Sequence, residues 1–367
     1  MPRASSVCDG GRLACRSGLV TSPPAFGTRI CGISVQENIS YHAGMNSTSR
    51  KTNLPGFAML KQMTMVLLVC LQWNLPGHAE ILSLDNGTVK VGIDDSKGAA
   101  ITWLSWSAYP KNAVNHADPG RLIQQSYYAG KSLDRTADGQ SKAWSPWTWN
   151  PIQGGGVSSW ARVNVMKRQT NNTLYGETVP KLWDMPNEEA AALMRQWTGF
   201  EPAMSNVVVV RCEFISQRAT EDRWGEAVPR AQEIPACYFT RNFSDAKSYL
   251  GDGKWRAESQ PPGPPWGKAT PPRKAMAFFN ADGQGVAVFS PASVATWNFG
   301  PHGSLITDDP AAGPCMHVAP LDRVRLGAKS EYRFRYWLIV GNQTEIATRL
   351  DALWEKHSGE RARLKDK

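Results

Sequence analysis

The sequence predicts an all-β domain that is built from antiparallel sheets and closed by a C-terminal helix. Short runs of alternating apolar and polar residues recur between 88 and 340, and turns rich in Gly and Pro separate them. A single long helical pattern follows, near the C terminus. About 288 residues, from 80 to 367, is the usual size of one large β domain, so we expect a single sandwich or barrel.

The first 79 residues have a different composition. Residues 1–58 are rich in Ser, Gly, Arg and Asn without an apolar period, which indicates an N-terminal extension that is either disordered or spurious. Residues 59–79 resemble a secretory signal peptide, because Lys61 precedes an apolar run and small residues precede Glu80. The run is too short for a stable membrane span. We therefore expect a secreted or periplasmic protein that begins near Glu80.

The charge of the chain depends on this boundary. The whole sequence carries 41 Lys and Arg against 32 Asp and Glu, a net charge of +9. The first 79 residues hold seven of the basic and two of the acidic residues, which leaves 34 against 30, or +4, for the rest. An excess this small gives no case for nucleic acid as a partner, and it is compatible with an acidic glycan.

Cysteine and histidine spacing points away from a bound metal. Three cysteines follow residue 79: Cys212, Cys237 and Cys315. Cys212 and Cys237 lie in strand-like runs and could pair if those strands are neighbours, while three free buried thiols are the alternative. No Cys or His cluster has metal-ligand spacing, and no glycine loop has phosphate-binding spacing. We therefore expect no metal and no other cofactor.

The strand patterns begin with a hairpin. Residues 88–93 alternate as TVKVGI and 99–106 read AAITWLSW, with turn chemistry at 94–98 between them. A second hairpin is predicted where Ala-Asp-Gly-Gln at 281–284 separates two apolar runs. Strand-like runs of similar length occur along the chain at 122–128, 157–165, 173–179, 207–215, 234–241, 275–280, 286–290 and 332–340.

Three segments depart from this alternation. Residues 187–198 have a helical composition but lie among strands, so both helix and strand stay open there. Residues 342–357 predict a helix, because Asn342 and Glu345 form a capping box and apolar residues fall on one face. Residues 259–272 are proline-rich and predict an extended loop, whose Trp266 is either a platform for a ligand or a linker residue packed on the surface.

The stretch 120–156 is the part of the chain that points most directly to a ligand. It concentrates amides, indoles, tyrosines and an arginine, which are costly to bury without partners. Aromatic faces flanked by amides suit sugar rings, although each Trp could instead be a core anchor. We predict that a polysaccharide or oligosaccharide is bound by this stretch and the proline-rich loop, through Arg121, Gln124, Gln125, Tyr127, Trp147, Trp149, Asn150, Gln153 and Trp266.

Two kinds of cleavage chemistry are compatible with the sequence. Hydrolysis needs two carboxyl groups, for which Glu233 is the best candidate and Glu213 a partner, although strand alternation favours a solvated surface position for Glu213. A lyase needs a base beside a uronate carboxylate and a group that neutralises it. The predicted catalytic residues are Tyr128, Glu233, His302 and His317, and the predicted neutralising groups are Arg121, Gln125 and Asn150.

Three segments resemble the galactose-mutarotase-like β-supersandwich superfamily. They are NGTVKVGIDDSKGAAITWLSWS at 86–107, AFFNADGQGVAVFSP at 277–291, and the closing strand and helix at 320–354. The resemblance implies antiparallel sheets, a C-terminal helix and a sugar-binding groove on one sheet. The aldose epimerases of that superfamily carry an aromatic residue where this chain has Ala117, after Asn115 and His116, so we transfer no epimerase residue.

The predicted function is therefore a secreted protein that binds a polysaccharide in a sheet groove and cleaves it, as a polysaccharide lyase or a glycoside hydrolase. A non-catalytic glycan-binding module and a sugar epimerase-like protein are the alternatives.

Overall fold

The computed structural model describes residues 80–118, 120–156, 160–185, 187–294, 296–302 and 315–366. The predicted extension at 1–58 and the predicted signal peptide at 59–79 lie outside these residues. No helix in the described ranges is long and apolar enough to cross a membrane.

The described chain consists mainly of strands, with one α-helix near its end. In chain order the strands are β1 (Ile81–Asp85), β2 (Val89–Asp94), β3 (Ala100–Trp106), β4 (Gln124–Ser126), β5 (Ala129–Leu133), β6 (Trp147–Trp149), β7 (Pro151–Ile152), β8 (Arg162–Thr170), β9 (Thr173–Val179), β10 (Lys181–Leu182), β11 (Ala192–Phe200), β12 (Val207–Ser216), β13 (Pro229–Phe239), β14 (Asp245–Gly251), β15 (Lys254–Ala257), β16 (Gly267–Ala269), β17 (Ala275–Phe279), β18 (Gln284–Phe289), β19 (Trp297–Pro301), β20 (Met316–Ala319), β21 (Leu321–Arg325), β22 (Glu331–Asn342) and β23 (Arg363–Lys365). The helix α1 spans Gln343–His357.

Two large antiparallel sheets dominate the fold. The ten-stranded sheet has the order β15-β14-β17-β18-β22-β12-β11-β9-β8, with β23 beside β22. The eight-stranded sheet has the order β10-β7-β4-β13-β20-β19-β16, with β21 beside β13. Two small sheets, β1-β2-β3 and β5-β6, complete the described part. The predicted all-β class, with antiparallel sheets and a C-terminal helix, is confirmed.

The main core lies between the two large sheets. Strand β12 alternates strictly, so Val208, Val210 and Phe214 join this core while Val207 points to the other face. Phe214 meets Tyr127 from the eight-stranded sheet, with ring centroids 4.3 Å apart. Burial of such side chains, at about 1.5–3 kcal/mol each, is the main force that holds the sheets together.

Helix α1 covers part of the outer face of the ten-stranded sheet, as predicted. The Asn342 side chain accepts hydrogen bonds from the backbone of Thr344 and Glu345, and the Glu345 side chain accepts one from the backbone of Asn342. This capping box supplies partners for backbone N–H groups that a helix start otherwise leaves free. The apolar side of the helix, including Ile346 and Leu350, packs on the sheet.

The structure settles two of the alternatives that the sequence left open. Residues 187–198 do not form a helix, since most of this segment belongs to strand β11, whose partners are β9 and β12. The predicted hairpin at 281–284 is formed by β17 and β18. The three cysteines are free and buried, so Cys212 and Cys237 do not pair.

Candidate functional site

A pocket of about 100 Å³ opens on one face of the eight-stranded sheet. Its lining combines aromatic rings with a few ionisable groups, which is the usual composition of a small-molecule site. The residues around it are Arg121, Gln124, Ser126, Tyr128, Trp144, Trp147, Asn150, Ile152, Trp183, Glu233, Ala236, Tyr238, Pro264, Trp266 and His302.

Strand alternation on β4 divides the polar stretch between two environments. Gln124 and Ser126 line the pocket, as does Tyr128 just after the strand. Gln125 and Tyr127, which alternate with them, point into the core and are completely buried. Because successive side chains of a strand point to opposite faces, one run of residues supplies both the pocket and the core.

Strand β13 supplies the acidic group of the pocket. Glu233 pairs with Ser126 of β4, and Ala236 pairs with Gln124, with a register shift between them. In a regular strand, residues 233 and 236 would face opposite sides, but this bulge lets both line the pocket. Tyr238 follows at the normal spacing of two residues.

One wall of the pocket consists of rings from β13, the proline-rich loop and the end of β19, while the predicted catalytic residue His317 packs behind them and does not line the pocket. The completely buried His317 of β20 stacks on Tyr238 at a centroid distance of 4.4 Å and contacts Trp266 at 4.3 Å. His302, at the end of β19, is half-buried and lies 6.0 Å from Trp266. The predicted platform residue Trp266 thus packs against both histidines while also lining the pocket.

Another part of the lining consists of three indoles. Trp144 makes edge contacts with Trp147 at 5.4 Å and with Trp183 at 5.5 Å. A buried ion pair supports this part of the lining, since Arg135 pairs with Asp184 and the Gln140 amide donates a 2.6 Å hydrogen bond to the same carboxylate. Asp184 directly follows Trp183, and its two partners precede Trp144. The ion pair therefore holds the segments of Trp144 and Trp183 together.

Glu233 and Tyr128 form a hydrogen-bonded pair in the pocket. The Tyr128 hydroxyl donates to Glu233 Oε2 at 3.3 Å. Burial raises the pKa of the Glu233 carboxyl above its usual value, although hydrogen bonds from Ser126 and Tyr128 oppose this. Burial, followed by the negative charge of Glu233, raises the pKa of Tyr128 well above its usual value. The pair therefore holds a carboxyl group of increased basicity beside a protonated phenol.

The two histidines are neutral at physiological pH. Burial lowers the pKa of His317 to about 3. Its Nε2 lies 3.7 Å from Glu233 Oε1, so the contact joins a neutral ring to the acid and is not an ion pair. Burial also lowers the pKa of His302, and the positive charge of Arg121 acts in the same direction.

Arg121 is the main cation of the pocket. Its side chain is largely buried, with the residue 8% exposed, and its guanidinium lies 5.1 Å from the Trp183 ring. Among the residues that the structure describes, no carboxylate lies within ion-pairing distance of it. A buried guanidinium without an acidic partner is suited to binding an anionic group of a ligand.

Four predicted binding residues do not line the pocket: Gln125, Tyr127, Trp149 and Gln153. All four are at most 2% exposed. Gln125 accepts a hydrogen bond from the Tyr127 hydroxyl at 2.8 Å, and Gln153 accepts one from the backbone of Gln125 at 3.1 Å. Trp149 packs on the core residue Phe214 at 5.9 Å. The prediction that these four contact a ligand is wrong, because the fold provides each of them with an internal partner.

Two further amides line the pocket but already have partners in the protein. Gln124 donates to the Gly120 carbonyl at 2.6 Å and accepts from the Gly154 backbone at 2.9 Å. Asn150 donates to the Tyr127 carbonyl at 2.8 Å and accepts from the Trp147 indole at 3.1 Å. These amides hold the loops around the pocket in place. The groups left to contact a ligand are therefore the aromatic rings and the ionisable side chains.

The pocket also contains residues that sequence reasoning missed, above all Trp183 and Tyr238. Both lie outside the polar stretch 120–156, in segments that read as ordinary strand and turn. The two-residue spacing from Ala236 to Tyr238 was the one available signal for Tyr238. Trp183 follows a two-residue strand that sequence patterns cannot detect, so no signal was available for it.

Glu213 does not reach the pocket. It lies on β12 of the ten-stranded sheet, where Arg333 and Arg195 pair with it. The outward position that strand alternation favours for Glu213 is confirmed, so the alternative in which it is the second carboxyl beside Glu233 is wrong. Glu233 is the one carboxyl among the described residues that line the pocket.

A comparison with known proteins finds similar folds and no similar sequences. No protein-family model matches the chain, and no curated protein matches it. A putative aldose 1-epimerase from Escherichia coli K12 is 10% identical, with a TM-score of 0.44, over 72% of this chain and 100% of its own. A galactose mutarotase-like protein from Lactobacillus casei is 11% identical, with a TM-score of 0.43, over 71% and 100%. A polysaccharide lyase is 13% identical, with a TM-score of 0.39, over 73% and 35%.

The first two matches are proteins of the superfamily that the hairpins and the C-terminal segment resemble in sequence. The similarity concerns the arrangement of strands, and we carry no residue role over from it. The chemistry of the pocket rests on its own residues, which can bind an anionic ring between aromatic walls and move a proton at the Tyr128–Glu233 pair.

Proposed function

We propose that the pocket binds an acidic sugar, a uronate residue of a polysaccharide or oligosaccharide, and cleaves its glycosidic linkage by β-elimination. The observation that carries the proposal is the location of Arg121, a buried cation without an acidic partner among the described residues, in the same pocket as the Tyr128–Glu233 pair. The uronate carboxylate is the partner that this guanidinium lacks. Its neutralisation would make the adjacent C5 proton more acidic.

The aromatic walls suit a sugar ring. Trp147 and Trp266 both line the pocket and are partly exposed. The C–H patches of a pyranose ring could pack on these indoles, while its hydroxyl groups stay near the polar floor. Such packing would hold the ring in one orientation relative to Glu233 and thereby lower the entropic part of the barrier.

Proton transfer would then involve two groups. The Glu233 carboxylate takes the C5 proton, the C4–O bond breaks, and a C4–C5 double bond forms. Tyr128 donates its hydroxyl proton to the leaving oxygen and regains a proton from Glu233 through the hydrogen bond that they share. Because the pKa of Glu233 is raised, its ionised form is a stronger base than an ordinary carboxylate.

Elimination is favoured over hydrolysis by the composition of the described pocket. Hydrolysis with inversion or retention needs a second carboxyl group on the other side of the scissile bond. Among the described lining residues, Glu233 has no such partner. Elimination needs one acid–base pair and one neutralising cation, and the described pocket contains both.

The test is incubation of the protein with a panel of polyuronates and neutral glycans, with two readouts. We expect growth of the ultraviolet absorbance of unsaturated uronates together with reducing ends, on polyuronates alone. Glu233→Gln should abolish both signals, and Arg121→Gln should raise KM for uronates. Reducing ends without absorbance would identify a hydrolase and overturn the proposal. Retention on a glycan column without either signal would identify a binding module and overturn it as well.

We also propose that the protein is exported after removal of residues 1–79. The composition of 59–79 supports this. Intact-mass measurement of the natural protein should give an N terminus at Glu80, and a chain that retains residues 1–58 would contradict it.

A further inference from the structure

The outer face of the ten-stranded sheet carries a second group of aromatic and basic side chains. Lys167, Tyr175, Trp197, Arg211 and Arg335 come from five neighbouring strands, and each is directly opposite the next in the strand register. Directly paired residues point to the same face of a sheet, so these five form a straight line across it. We call this line the surface row. At about 4.8 Å per strand, it is about 19 Å long.

Two adjacent rings lie between cations along the surface row. The Arg211 guanidinium lies 4.1 Å from the Trp197 ring centroid, and Trp197 lies 5.1 Å from Tyr175. The Lys167 ammonium lies 5.8 Å from the Tyr175 ring. Lys167 and Arg211 are exposed, and both rings are half-exposed. The row therefore presents flat apolar surface and positive charge to solvent.

The neighbouring row on the same face differs in charge. There Arg195 pairs with Glu177 and Glu213, and Arg333 pairs with Glu213, so acids balance the bases. In the surface row, Glu360 pairs with Arg335. Among the described residues, no carboxylate pairs with Arg211 or Lys167. Positive charge is thus concentrated in one line beside a neutral line.

A shallow cleft lies beside three members of this row. Gly199 lies two residues after Trp197 and so is on the same face of the sheet. It has no side chain, and its partners in the strand register are Thr173 and Val209. The resulting cleft of about 370 Å³ is lined by Trp197, Arg211 and Arg335. A chain lying along it would contact the indole face and the guanidinium groups together.

We propose that the surface row is a second binding site, which holds an anionic polysaccharide chain at a distance from the pocket. The polymer class rests on the proposed function, while the charge and the aromatic faces of the row are independent of it. Negative groups of the polymer would contact Arg211 and Lys167, and its sugar rings would stack on Trp197 and Tyr175. The site would keep the protein on the polymer between encounters of a chain with the pocket.

The test uses electrophoresis of the chain 80–367 through gels that contain alginate, with dextran gels as the neutral comparison. We expect Arg211→Gln to weaken alginate affinity about tenfold, which corresponds to about 1.4 kcal/mol. Trp197→Thr should weaken it similarly. The matched control is Arg333→Gln, which removes the same charge from the neutral row of the same sheet and should leave the affinity within about twofold. Thermal melts confirm that each variant is folded, and Lys167→Gln serves as a second exposed variant.

The outcomes separate this site from the proposed function. Equal retardation of Arg211→Gln and Arg333→Gln would overturn the surface row, because the effect would then reflect net charge alone. Unchanged cleavage of short oligouronates by Arg211→Gln, together with weaker binding of the polymer, would support it. If the wild-type protein cleaves no uronate but its retardation depends on Arg211 and Trp197, the proposed function fails and the surface row stands.

Discussion

Two glutamates on strands that follow each other in sequence, β12 and β13, show how different the two large sheets are. Glu213 lies on the ten-stranded sheet between Arg195 and Arg333, which neutralise it. Glu233 lies on the eight-stranded sheet beside Tyr128 and His317, both neutral, and burial raises its pKa. A carboxylate between two guanidiniums is a structural group, whereas a buried carboxyl without an ion-paired cation, whose pKa is raised, is suited to accept and release a proton. The comparison teaches that charge environment, more than residue type, separates the two roles.

The largest difference in activity should appear when each of the two glutamates is replaced in turn. Glu233→Gln should lower kcat by about 10²–10⁴-fold on a polyuronate, because the group that accepts the proton is lost. Glu213→Gln, its matched control, should retain activity within about twofold. Initial rates of unsaturated product formation measure both. Comparable losses in the two variants would show that the glutamates are not functionally different.

The next contrast is between two tryptophans of β6. Trp149 is buried against Phe214, so Trp149→Ala should cost about 3–5 kcal/mol of unfolding free energy. Trp147 is partly exposed in the pocket, so Trp147→Ala should cost less and should raise KM. Urea denaturation and steady-state kinetics separate the two effects. A larger loss of stability for Trp147→Ala would contradict the assignment of Trp149 to the core and Trp147 to the pocket.

His317 should make stability depend on pH. Its pKa in the folded protein is about 3, against an ordinary value of 6.5, so the unfolded chain binds a proton first as the pH falls. The contribution of His317 to the free energy of unfolding is fully present above pH 6.5. It decreases by roughly 1.4 kcal/mol per pH unit as the pH falls toward 3. Because Glu233 also titrates, the slope is measured in Glu233→Gln with and without His317→Gln. Identical slopes would contradict the neutral, buried state of the ring.

The smallest effect is a gain in stability. A carboxyl whose pKa is raised on folding favours the folded state when protonated, and this advantage declines as the pH rises through its folded pKa. Glu233→Gln should therefore be more thermostable than the wild type at pH 7, and the difference should vanish below the ordinary pKa of 4.5. Melting curves at the two pH values check it. Glu213→Gln should show no such gain, since it removes an ion-paired group.

The fold was predictable from sequence because its signals are local. Alternation on strands such as β2 and β3, the Asp-Gly hairpin of β17 and β18, and the capping box at Asn342 each depend on a few adjacent residues. The arrangement of the strands into two sheets is not local. It was implied by resemblance to a superfamily and not by the residue patterns.

The pocket was predictable only in part. Arg121, Tyr128 and Trp147 were identified because chemically similar residues are concentrated in one stretch. Tyr127 and Trp149 share that composition but face the core. The two-residue strand period separates Tyr127 from Tyr128, but it puts Trp149 on the same face as Trp147, so only the folded chain distinguishes these two indoles. Trp183 approaches Trp144 only through the folded chain. The pairing of Glu213 with Arg333 likewise depends on strand register, which the sequence does not specify.

The bulge on β13 places a severe constraint on insertions and deletions. Residues 233 and 236 both reach the pocket only because the strand gains one position between them. A single-residue deletion at 234 or 235 would remove the bulge but leave residues 233 and 236 two positions apart, where alternation still puts both on one face, whereas a deletion at 237 would put Ala236 and Tyr238 on opposite faces. Length variation in this strand should therefore be tolerated far less than substitution, and a deletion scan along β13 would locate the boundary of that intolerance.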